Sequence, residues 1–69
     1  MPLHTILFDK HYWNINKIVD WLYKHNIQPI KEAREQKNFI RTRIRDPSLF
    51  KSFYTVKIPN HIELIIGKY

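Results

Sequence analysis

The residues best suited to chemistry are those of the run Phe39-Ile40-Arg41-Thr42-Arg43-Ile44-Arg45. Read as a strand, it places Arg41, Arg43 and Arg45 on one face about 6.6–6.8 Å apart, with Phe39 at the head of the row. Guanidinium groups grip phosphate oxygens bidentately, and an aromatic ring such as Phe39 or Tyr54 can stack on a base. Lys31, Arg34 and Lys37 extend the basic segment against only Glu32 and Glu35. Residues 31–45 therefore hold +4 of the chain's formal +6, and all four of its arginines. A nucleic acid, DNA or RNA, is the expected partner, gripped mainly at phosphate with little sequence specificity. An acidic protein surface matches the same charge. The plain structural reading is a solvated sheet face whose arginines pair with Glu32, Glu35 and Glu63.

Other chemistries find little support. His4, His11, His25 and His61 are scattered, and none forms the i, i+4 pair of a helical metal site. Surface positions are expected for them, with His4 and His61 the one pair that fold geometry could unite, and no metal is expected. There is no cysteine, so disulfides and thiolate sites are excluded. Asp9, Asp46 and Glu63 are the carboxylates a metal-dependent nuclease would need, but nothing else points to one. Ser48 and Ser52 lack a nucleophile-elbow context, and one glycine cannot build a phosphate loop. A non-enzymatic chain with no cofactor is expected.

The elements that must position the arginines can be read from pattern. Leu3–Phe8 is short and β-leaning. Residues 14–25 form a helix, with Ile15, Ile18, Val19 and Leu22 as the apolar stripe. Asn14 or Asn16 caps its start, Asp20 and Lys24 pair at i, i+4, and Lys24 and His25 complement the dipole. Asn26 takes the left-handed stop, Ile27 folds back as the closing contact and Pro29 follows. Trp13 and Trp21 read as core-edge anchors, with an exposed partner-docking patch as the alternative.

Ile27 to Ala33 reads as a strand leading into a turn at Glu35-Gln36-Lys37-Asn38, with a helix over 30–37 as the competing reading. The Phe39–Arg45 strand ends at Asp46-Pro47-Ser48. Phe53–Ile58 and Ile62–Ile66 make a hairpin through Pro59-Asn60-His61, and Gly67 closes the last strand. The fold class expected is α+β: one helix on a three- to four-stranded, mainly antiparallel sheet. Its buried face joins Ile40, Ile44, Ile62, Leu64 and Ile66 to the helix stripe.

Sixty-nine residues support one small domain near the lower limit of independent folding, for which self-association into a homo-oligomer is a ready source of stability. No apolar stretch approaches a membrane span, and no signal peptide is expected at the N-terminus. Together with the lack of cysteine this fits an intracellular, reducing compartment. Peripheral attachment to an anionic membrane is a weak option, because the helix offers only Lys17, Lys24 and His25. The weight of Ile, Lys, Asn, Tyr and Phe matches an AT-rich genome.

The series Trp21-Leu22, Arg41-Thr42-Arg43, Asp46-Pro47, Phe50 and Ile65-Ile66-Gly67 resembles a small uncharacterised module of large DNA viruses and some bacteriophages. That module has a Trp-Leu helix, an Arg-aromatic-Arg strand followed by Pro and Phe, and a hairpin ending near glycine. Here Thr42 replaces the aromatic and Ile44 a polar residue. The resemblance spans residues 12–67. It implies a viral accessory protein of the virion, viral factory, or infected nucleus or cytoplasm, and it carries over no catalytic residues.

Overall fold

The computed structural model describes residues 2–69. Five strands and one α-helix follow in the order β1 (Leu3–Asp9), α1 (Ile15–Lys24), β2 (Arg34–Glu35), β3 (Phe39–Arg43), β4 (Ser52–Ile58) and β5 (Ile62–Lys68), with a short 3-10 turn over Pro47–Leu49 between β3 and β4. The strands form one antiparallel sheet in the order β2-β3-β1-β5-β4. The α+β class is as the sequence implies, with one strand more than the upper expectation.

α1 forms because its ends are satisfied. The Asn14 side chain accepts the Lys17 N–H at 2.9 Å, replacing a bond the first turn cannot make. At the other end Asn26 is left-handed (φ 54°). The Ile27 N–H then reaches the Leu22 carbonyl and the Asn26 N–H that of Tyr23, the two bonds of a Schellman stop. Ile27 packs back on the core, and Lys24 pairs with Asp20 at 2.9 Å.

The core lies between α1 and one face of the sheet. Ile6, Phe8, Ile40, Ile44 and Ile62 come from the sheet side, and Ile18 and Leu22 from the helix. The helix is rotated from the expected stripe. Ile15 and Val19 are exposed, while Trp21 packs against the core beside Ile18 and Leu22. A ten-residue helix touches the sheet through one narrow stripe, and Trp13 and Trp21, wedged at 4.9 and 5.5 Å from the Phe8 ring, decide which. Trp13 also donates its indole N–H to the Asn60 carbonyl at 2.7 Å, tying the helix entry to the β4–β5 turn. Both tryptophans are core-edge anchors.

The segment between α1 and β3 departs from expectation. Residues 27–33 form neither strand nor helix, and pairing is confined to Arg34–Glu35, so Glu35 belongs to the strand and not to the turn. Pro29 cannot donate to a ladder, and Ile27 is committed to closing the helix. The Ile30 N–H instead reaches the Arg43 carbonyl, laying the segment along the sheet edge.

A smaller aromatic cluster sits on the face away from α1. Between Leu3 and Thr5 the β1–β5 register slips by one residue, so His4 is the extra residue of a bulge. Leu3 thereby joins the helix-side core, while the His4 ring packs edge-on to Phe50 at 6.1 Å and tilted against Phe53 at 4.9 Å. Phe50 lies directly on Gly67, where any Cβ would clash with the Cγ, Cδ1 and Cδ2 atoms of its ring. Gly67 therefore does not terminate β5; it is a packing position within the strand. His4 is buried, contrary to the surface position expected of the histidines, and it lies far from His61, which stacks on Tyr12 at the opposite end of the sheet.

Candidate functional site

The basic residues collect on the sheet face away from α1. Side chains alternate along a strand, so the partners of Ile6, Phe8, Ile40 and Ile62 in the core leave Phe39, Arg41 and Arg43 on the opposite side. Register then sets the rows. Arg34 lies opposite Arg41, Arg41 opposite Leu7, Leu7 opposite Glu63, and Glu63 opposite Lys57. Beside this row runs a second, in which Arg43, Thr5, Ile65 and Thr55 face one another in turn. Phe39 ends the face opposite Asp9.

Like charges directly opposite on neighbouring strands repel. Arg34 and Arg41 are such a pair, yet no acidic side chain among the described residues lies within ion-pair distance of Arg34, Arg41 or Arg43. Glu32 and Glu35 stand nearby without closing on them. Arg41 also has a buried Nε that meets no acceptor among the described residues. A cleft of about 570 Å³ opens here between the 31–36 segment and β3, lined by Lys31, Arg34, Arg41 and Arg43 and also by Glu32 and Glu35. Four cations against two carboxylates leave the lining net positive, and its chemistry is that of an anion site: forked donors in a row on a concave surface.

His4 borders this region through the bulge. Its Nδ1 is 2.9 Å from the Thr5 hydroxyl, and its buried Nε2 has no partner among the described residues. Burial lowers its pKa below the ordinary value of 6.5; Arg41 and Arg43 push the same way, and Asp46 opposes them. The ring is therefore neutral at pH 7 and adds no charge to the face.

The structure brings Lys31, Arg34, Arg41 and Arg43 together, with Phe39 half-buried at one end of the row. Three expected members fall elsewhere. β3 stops at Arg43, because the Ile44 and Arg45 N–H groups both turn to the His4 carbonyl. Arg45 then donates its guanidinium to the Leu3 carbonyl at 2.9 Å and leaves the row. Lys37 is exposed at the β2–β3 turn, outside the cleft. Tyr54 lies opposite Ile66, on the α1 side of the sheet, under the Lys68 ammonium at 5.2 Å. Phe53 is the aromatic that β4 contributes to the basic face. Alternation puts it with Lys57, but its alignment with the arginines depends on the β1–β5 register, which no local signal carries.

No cluster of three or more metal-ligating side chains occurs among the described residues, and no helix among them is long and apolar enough to cross a membrane. Fold and site together define a small α+β protein that presents a basic, partly aromatic sheet face opposite its α-helix. No known protein family, curated protein or solved structure matches the chain.

Proposed function

We propose that this protein binds nucleic acid, without catalysis, through the sheet face bearing Lys31, Arg34, Arg41 and Arg43. The supporting observation is the cross-strand pair Arg34–Arg41, with Arg43 beside it, held on an antiparallel scaffold without an acidic partner among the described residues. A surface that serves only solubility has no need to hold like charges opposite one another at an internal cost. Phosphate oxygens relieve that repulsion and accept from several forks at once. The contacts are to backbone rather than base edges, so binding is weakly sequence-specific, and Phe39 and Phe53 supply rings for unstacked bases. The resemblance to a module of large DNA viruses supports a virion or an infected cell as the setting of this activity.

Fluorescence anisotropy of labelled single- and double-stranded DNA and RNA, titrated with the protein at several salt concentrations, tests the proposal. Binding that weakens steeply with salt, and that is weaker and less salt-dependent in Arg41→Ala/Arg43→Ala, is the expected result. No binding at low salt overturns it and leaves an acidic protein as the partner of matching charge.

A further inference from the structure

The two edges of the sheet are treated differently. At one edge β2 is two residues long and the 27–33 segment runs beside β3, blunting it. At the other edge lies β4, seven residues long, with no proline, no bulge and a single charge, Lys57. Long unprotected edges are templates for another strand.

The hydrogen-bond alternation shows which groups β4 presents. The Asp9 N–H meets the His61 carbonyl and the Gly67 N–H the Pro2 carbonyl, so odd-numbered residues of β5 bond to β1 and even-numbered ones to β4. Through the register Ile58–Ile62, Val56–Leu64 and Tyr54–Ile66, the even-numbered residues of β4 turn inward. Phe53, Thr55 and Lys57 therefore direct their N–H and C=O groups outward.

We infer that β4 pairs antiparallel with β4 of a second copy about a twofold axis at Thr55, making one continuous sheet across the dimer. The pattern is self-complementary. Thr55 meets its own copy, and Phe53 meets Lys57, each pair exchanging both backbone bonds. On the basic face Lys57 then lies against the Phe53 ring of the second copy, a cation–π arrangement, and never against a second Lys57. On the α1 face Tyr54 meets Val56, an aromatic–β-branched pair. The next position outward from the axis would set Lys51 against Pro59, which has no N–H, so pairing ends there. A twofold axis normal to the sheet keeps both basic faces on the same side.

This inference stands on the edge geometry and does not rest on nucleic-acid binding. The two respond oppositely to salt. Copies carrying a formal +6 each repel less when screened, so salt strengthens the dimer, whereas it weakens phosphate contacts.

Sedimentation of the protein alone, from about 10 µM to about 1 mM, spans the range in which a small interface passes from monomer to dimer. A dimer that forms with concentration, strengthens with salt and is lost in Thr55→Lys, with an unchanged circular dichroism spectrum, is expected. Because the chain has no cysteine, one introduced thiol reports the register. Thr55→Cys places the sulfurs across a bonded pair about 5.5 Å apart at Cα and cross-links under mild oxidation. Lys57→Cys separates them by roughly 13 Å along the strands and does not. A monomer throughout, or equal cross-linking of both variants, overturns the inference; the monomer would leave the edge to an extended peptide of another protein.

Discussion

Neutralising Arg41 and Arg43 together isolates the electrostatic contribution of the basic face. Lys31, Arg34, Arg41 and Arg43 are the cations of the cleft, while Arg45 is engaged with the Leu3 carbonyl and Lys37 stands outside. Four cations engaging about four phosphates of a duplex give a log K against log salt slope of about −3.6, and about −2.8 on a single strand. Between 50 and 200 mM salt the duplex slope corresponds to about a 150-fold loss of affinity. Arg41→Ala/Arg43→Ala removes two of the four, which halves the slope to about −1.8 and shrinks the salt effect to about 12-fold. Both side chains leave the face opposite the core, so melting temperature and circular dichroism are expected to stay near those of the parent. Anisotropy titrations of both proteins across that salt range are the assay. A slope unchanged in the double variant would show that the bound anion lies elsewhere, and the reasoning from register to charge row would fail.

Three further outcomes follow from the same geometry. Arg34→Glu turns the like-charged pair with Arg41 into an opposite-charged one, so it raises stability by about 0.2–1 kcal/mol while weakening nucleic-acid binding; denaturant midpoints and anisotropy measured together check this divergence, and a loss of both would contradict it. His4 folds in its neutral form, burial being the main cause, so the stability this provides is whole above pH 6.5 and is lost as pH falls from there towards its lowered native pKa. His4→Gln, which does not titrate, is expected to flatten thermal stability across that window, and an unchanged acid slope would refute the assignment. Gly67→Ala drives a methyl into the Phe50 ring and is expected to cost about 1–3 kcal/mol in a chemical melt, less when combined with Phe50→Leu; a neutral effect would mean the ring is not seated there.

Local chemistry was readable wherever one signal decided the outcome. Asn14, Asn26 and Ile27 define the helix ends by bonds made within a few residues, so composition and order suffice. The alternation of Phe39–Arg43 likewise separates the arginines from Ile40 and Thr42 on any pleated strand. The hairpin through Pro59-Asn60-His61 follows from residues that stop strands, and Asn60 and His61 take positive φ there.

Tertiary structure decided what depends on register and competition. Arg45 continues the alternation in sequence, but the His4 carbonyl captures the Ile44 and Arg45 N–H groups and ends the strand two residues early. The helix pattern admits two neighbouring apolar stripes, and the wedging of Trp13 and Trp21 against Phe8 selects the one containing Ile18 and Leu22. His4 looks like any surface histidine until a one-residue slip against β5 turns it under Phe50 and Phe53. Sequence by itself thus determined the helix, the alternation of the basic strand and the C-terminal hairpin, because these depend on neighbours a few residues away, but not the 27–35 segment. Only the assembled sheet placed Arg34 opposite Arg41, aligned Phe53 with the arginine face and left β4 at the edge, because pairing between distant strands is chosen by the burial of the whole core.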